Sequence, residues 1–122
     1  MAASGRAPRA MRALKEMNGV VEQASEQELA DAAARADRTG MYTCPHTAVA
    51  LAVIEKLVGK GTIAPHEKVV CVSTAHGLKF TEFKVRYHER TLEGIDARFG
   101  NPPVYLPPDY GQVIDCISKH FS

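Results

Sequence analysis

Apolar residues recur along this chain first at helical spacing and then in unbroken runs, and the alternation of the two patterns predicts its elements. Met11, Leu14 and Met17 are three apart behind Pro8, which predicts a short helix opened by the proline and stopped at Asn18-Gly19. Val20 and Val21 then read as a brief strand. Ser25-Glu26-Gln27-Glu28 has the form of a capping box, in which the Ser25 hydroxyl accepts from the Glu28 backbone and the Glu28 carboxylate reaches back. An alanine-rich helix is predicted from there to about Arg38, ended by Gly40. Pro45 opens another helix, whose Val49, Leu51, Ala52, Ile54, Leu57 and Val58 are apolar on more than one face, as expected of a buried helix. Gly59 and Gly61 end it, and Pro65-His66 turns the chain. Residues 68–74 form an apolar run without alternation, the pattern of a central strand covered on both faces. A long connection carrying Pro102-Pro103 and Pro107-Pro108 follows. Residues 109–112 give a second capping signal, and Val113, Ile114, Ile117 and Phe121 predict a last helix with a buried stripe.

The predicted order is α-β-α-α-β-loop-α, an α/β arrangement with too few strands to close a doubly wound sheet. Two strands leave unpaired backbone at their outer edges and cannot bury helices on both faces. The chain reads as part of a domain. It has no internal repeat and no low-complexity segment.

Length limits the chain to one domain: 122 residues bury roughly two-thirds of the surface their unfolded chain exposes. The 15 Lys and Arg against 14 Asp and Glu leave a net charge of +1 with both signs scattered, so there is no electrostatic footprint for nucleic acid. No apolar run approaches the ~20 residues of a membrane span, which points to a soluble protein with no membrane partner. Cys44, Cys71 and Cys116 are odd in number and widely spaced, which argues against a disulfide framework and for a reducing compartment. The cytoplasm is the expectation, with a plastid as the alternative for a plant protein. Arg6, Arg9, Arg12 and Lys15, with no acid among them, faintly suggest a transit peptide, although such peptides are usually longer and richer in Ser.

Candidate chemistry gathers where the second predicted strand ends. Val70-Cys71-Val72 gives way to Ser73, Thr74, His76 and Gly77, and ligands of open α/β sheets collect outside the carboxyl ends of strands. Taken alone, Thr74 reads first as a hydroxyl that satisfies a loop N–H, and only second as a ligand contact. His46 and Thr47 stand at a helix start, where N–H groups attract anions, and Thr47 also suits a cap. Cys44 is a packing surface or a ligand contact, and a thiol of ordinary pKa ~8.5 is mostly neutral at pH 7. A metal centre is the rival reading, but Cys44 and His46 straddle a proline with no Cys-x-x-Cys or His-x-x-x-His pair nearby, a poor spacing for zinc. No Gly-x-Ser-x-Gly elbow supports a serine hydrolase.

Several runs together resemble one family. Cys44-Pro45-His46-Thr47 followed by Val49-Ala50-Leu51, the run Ser73-Thr74-Ala75-His76-Gly77-Leu78-Lys79-Phe80, and Phe99-Gly100-Asn101-Pro102-Pro103 look like the carboxyl-terminal part of threonine synthase. Leu14-Lys15-Glu16, Asn18-Gly19-Val20-Val21 and Thr39-Gly40 are similar to the same branch, found in plants and many bacteria. The resemblance runs over residues 9–122 and leaves residues 1–8 as an unrelated extension. It implies a partial domain of the tryptophan-synthase-like (fold type II) pyridoxal-phosphate enzymes, and the conversion of O-phospho-L-homoserine and water to L-threonine and phosphate.

By that resemblance Thr74 meets the cofactor's pyridine nitrogen, and Ser73, His76 and Cys44 lie near the cofactor. Cys44 falls where relatives in the wider fold often carry Glu. His46 and Thr47 are implied to hold a substrate carboxylate or phosphate. Lys79 is not the Schiff-base lysine, because the family's lysine lies in the amino-terminal half, as do its glycine-rich phosphate cradle and, in plant relatives, the activating-ligand site. No catalytic residue is therefore assigned, and the isolated chain is expected to be inactive. The alternative is a noncatalytic interaction module, or a pseudogene-like remnant, that associates with a full-length synthase. Two departures stand out: Ala48 where the family usually has Gly, with a methyl expected to crowd the cofactor or the start of the helix, and Cys71 in place of an aliphatic residue.

Overall fold

A computed structural model describes residues 7–121, so residues 1–6 of the predicted extension lie outside the described residues. Five helices carry the fold: α1 (Ala7–Glu16), α2 (Glu26–Asp37), α3 (Pro45–Gly59), α4 (Thr81–His88) and α5 (Tyr110–Phe121), with a 3-10 turn over Gly77–Phe80 leading into α4.

The α2 helix is central because its alanines let neighbours approach closely. Its capping box forms as the sequence predicts: Ser25 Oγ accepts from the Glu28 N–H at 3.2 Å, and the Ser25 N–H donates to Glu28 Oε2 at 2.7 Å. Leu29 and Ala33 pack on Ala48 of α3, while Ala30 and Ala34 pack on Tyr87 and Ala97. Thus the methyl of Ala48 is spent inside the α2–α3 contact, fully buried, and does not crowd the start of α3 as the sequence suggested.

The α4 helix was not foreseen; the sequence reading places a long connection there. Phe83 and Tyr87 lie one turn apart, but Val85 on another face and the buried Lys84 blur the stripe. Tyr87 donates its hydroxyl proton to Asp31 Oδ1 at 2.6 Å and accepts from the Phe99 N–H at 3.3 Å, and burial beside that carboxylate pushes its pKa up to about 12. Lys84, 2% exposed, binds both Asp37 oxygens at 2.7 and 2.9 Å and lies over the Tyr42 ring at 4.9 Å. The loop after α4 is pinned back on α2 by a reciprocal pair, Gln27 Nε2 to the Asp96 carbonyl and the Asp96 N–H to Gln27 Oε1, both at 2.8 Å.

No β-strand forms among the described residues, which corrects the α/β expectation for this chain. Val20 and Val21 and residues 68–74 are irregular, and the β pairing present is an isolated antiparallel bridge between Thr43 and His76. The run 68–74 is also exposed where burial on both faces was expected: Val70 is 87% and Val72 74% exposed. A helix closes its hydrogen bonds within itself, whereas a strand needs a neighbour, and no neighbouring strand lies in these residues. The same shortage of partners uncovers helix faces. Only Thr47, Ala48 and Ala52 of α3 are buried, and Val113, Ile114 and Ile117 of α5, expected as a buried stripe, are exposed.

Candidate functional site

The two segments that the sequence singled out come together. Tyr42 and Thr43 lead into α3, residues 73–76 lead into the 3-10 turn, and the Thr43–His76 bridge joins them. The Gly77 N–H donates to the Tyr42 carbonyl at 2.9 Å. A Cβ built on Gly77 would lie 2.7 Å from Tyr42 Cδ1 and 2.8 Å from the Thr43 carbonyl oxygen, so this crossing requires glycine. Residues 40–43 and 73–76 line an open cleft of about 460 Å³.

Beneath the cleft, the start of α3 is capped by sulfur. Cys44 is the N-cap, fully buried, and Sγ accepts from the Thr47 N–H at 3.4 Å. The Thr47 hydroxyl lies 3.3 Å from Sγ on one side and 3.2 Å from Ser73 Oγ on the other, so Cys44, Thr47 and Ser73 form one hydrogen-bonded line. Burial pushes the Cys44 thiol up, but hydrogen bonds from the Thr47 hydroxyl and N–H and from His46 outweigh it and hold it down at about 6. That direction is opposite to the one expected of an ordinary, mostly neutral thiol.

The remaining predicted residues differ in what they are free to do. Thr74 is exposed on the cleft, and its hydroxyl engages no partner among the described residues, so it is not spent on a loop N–H. His76 is exposed; its Nδ1 accepts from the Leu78 N–H at 3.2 Å and its ring lies 5.8 Å from Tyr42. His46 is exposed at the start of α3, edge-on to Phe80 at 5.8 Å. Thr47 is buried and committed to Cys44 and Ser73.

Sequence reasoning missed Thr43. Its hydroxyl is buried without a hydrogen-bond partner on the element that walls the cleft, and leaving such a group unpaired costs about 1–3 kcal/mol. No motif marks it; its position beside Cys44 was the available signal. Larger than this cleft is a cavity of about 520 Å³ between α4, α5 and Pro102-Pro103, which holds the Asp37–Lys84 pair and none of the predicted site residues.

No protein-family model matches the chain. It is 48% identical over 112 residues to threonine synthase 2, chloroplastic, of Arabidopsis thaliana, a match covering 92% of this chain and 22% of the relative. It is 31% identical over 88 residues to threonine synthase of Methanocaldococcus jannaschii, covering 71% of this chain and again 22% of the relative. The residues that carry the motifs and build the cleft thus sit in a chain homologous to threonine synthase, and that chain spans about a fifth of the length of these relatives.

Proposed function

We propose that this chain supplies one wall of the pyridoxal-phosphate site of a threonine synthase, the enzyme that forms L-threonine and phosphate from O-phospho-L-homoserine and water. The observation that carries the reading is the free Thr74 hydroxyl on a cleft between the two motif segments, with the unpartnered Thr43 hydroxyl in its wall. The exposed Thr74 hydroxyl suits a polar heteroaromatic ligand, and the buried Thr43 hydroxyl lies behind it in the wall. Thr74 would face the pyridine nitrogen, where a neutral hydroxyl cannot stabilise a pyridinium as a carboxylate does. Ser73 and His76 would line the cofactor from the same segment, and Cys44 would lie below it. His46 would meet the substrate's anionic group at the start of α3, with Thr47 holding that turn in place. Bound there, the cofactor supplies an electron sink for elimination and replacement chemistry.

One wall is not a complete site, and the chain alone is proposed to be inactive. The test mixes it with the separately made remainder of a threonine synthase and follows cofactor absorbance and phosphate release from O-phospho-L-homoserine. Turnover in the mixture alone is expected, reduced by Thr74→Ala. Turnover by the isolated chain, or a mixture that stays inert, would overturn the proposal. The exposed Val69, Val70 and Val72 favour a second reading, a noncatalytic module that associates with an intact synthase. Co-purification with the intact enzyme, without complementation of the remainder, would select it.

A further inference from the structure

We propose that Cys44, Thr47 and Ser73 form a proton relay with two registers, through which the buried Cys44 sulfur ionises to solvent and thereby frees the Ala75 carbonyl from the Ser73 hydroxyl. The relay is a property of this chain whether or not the cleft holds a cofactor.

Four contacts define it: Thr47 N–H to Cys44 Sγ at 3.4 Å, Sγ to Thr47 Oγ1 at 3.3 Å, Thr47 Oγ1 to Ser73 Oγ at 3.2 Å, and Ser73 Oγ to the Ala75 carbonyl at 3.4 Å. Each hydroxyl has one proton to donate, so the protonation of sulfur fixes the direction of the line. With a thiol, S–H donates to Thr47, Thr47 to Ser73, and Ser73 to the Ala75 carbonyl. A thiolate only accepts. Thr47 must then donate to sulfur and Ser73 to Thr47, which leaves Ser73 no proton for Ala75.

The change between registers balances without solvent reaching the sulfur. The S–H bond breaks as its proton passes to Thr47 Oγ1, the Thr47 proton passes to Ser73 Oγ, and the Ser73 proton leaves to water. Cys44 and Thr47 are buried while Ser73 is exposed, so the hydroxyl line reaches solvent at Ser73, and the exposed His46 that hydrogen-bonds the sulfur is a second way out for the proton. The net change is one proton lost. The outlet at Ser73 lies beside Thr74, so the register is felt on the cleft wall.

The surroundings leave few other groups to drive the change. His46 adjoins Cys44 in the first turn of α3, and His76 lies across the Thr43 bridge. The α2 helix turns Leu29 and Ala33 to this end of α3, and its Arg35 and Glu28 pair with Glu55 and Lys56 farther along. From α4, Lys84 is neutralised by Asp37.

The test uses the full chain carrying Cys71→Ser and Cys116→Ser, so that thiolate ultraviolet absorbance reports Cys44 alone, with the Ala75 carbonyl carbon followed by NMR. The sulfur and the Ala75 carbonyl are expected to titrate with one midpoint. Thr47→Val should raise the sulfur midpoint by about one pH unit or more and uncouple Ala75, and Thr47→Ser should restore both. Because Thr47→Ser and the parent already test the coupling, a Thr47→Val chain that fails to fold leaves the proposal exposed to disproof. An Ala75 carbonyl that ignores pH while the sulfur titrates would overturn the relay. So would an Ala75 titration that persists in Cys44→Ser.

Discussion

Gly77 shows how a single missing side chain sets the geometry of the cleft. With a Cβ at 2.7 Å from the Tyr42 ring and 2.8 Å from the Thr43 carbonyl, Gly77→Ala must push residues 42 and 43 away and weaken the bridge to His76. Overpacking of this kind costs about 1–3 kcal/mol, to be read as a lower denaturation midpoint with an unchanged m-value. Cys44 makes a pH prediction at the same scale. Its folded pKa, about 6, lies below that of a thiol in the unfolded chain, which therefore binds more protons between the two values. Stability from this group is fully present above about pH 9, declines as the pH falls, and is gone below about pH 6. Stability measured across that window should rise with pH in the parent, and the rise should flatten in Cys44→Ser. Neither property was legible in the sequence. The Cys44-Pro45-His46-Thr47 run marks the place, but the lowered thiol depends on hydrogen bonds that exist only once α3 has turned, and the Gly77 clash depends on a crossing 35 residues back along the chain.

At the scale of elements, local signals were read reliably and partner-dependent ones were not. The Ser25 capping box and the Pro45 helix start are decided within four residues, and both stand where the sequence put them. Ser25→Ala should cost about 1 kcal/mol in thermal or denaturant unfolding, with Ser25→Asp close to the parent. Glu28 adds an acid limb to the same cap: its hydrogen bond from the Ser25 N–H and its pair with Lys56 hold it down at about 2. Stability from Glu28 is therefore present above about pH 4.5 and lost as the pH falls toward 2. By contrast, α4 was hidden because its buried Lys84 and half-buried Phe83 break the usual division of polar and apolar faces, and its place is set by Asp37 and Asp31 of α2. The apolar stripe of α5 was real as a pattern, yet few residues cover it.

At the scale of the whole molecule, the α/β pattern read from the sequence belongs to a larger assembly than these residues make. Helices α1, α2, α3 and α5 form where predicted or nearby and α4 forms unpredicted, all because their backbone bonds are internal; residues 68–74 carry a strand's composition but have no strand beside them. The bare valines and the match to about a fifth of each relative's length have one physical explanation if the proposed function holds: this run pairs with a sheet supplied by the rest of the enzyme. That idea can be separated from folding of the chain itself. Val70 is 87% exposed, so Val70→Pro should alter the chain's own stability by no more than about 0.5 kcal/mol. In a central strand the same proline removes a ladder N–H and is not tolerated. Val70→Pro should therefore unfold at nearly the parent midpoint yet fail to restore phosphate release when mixed with the remainder of a threonine synthase. In the parent mixture, amide exchange over residues 69–73 should slow, since those N–H groups acquire carbonyl partners. If Val70→Pro complements as well as the parent, the run joins no sheet, and the site would have to be completed through the cleft side alone.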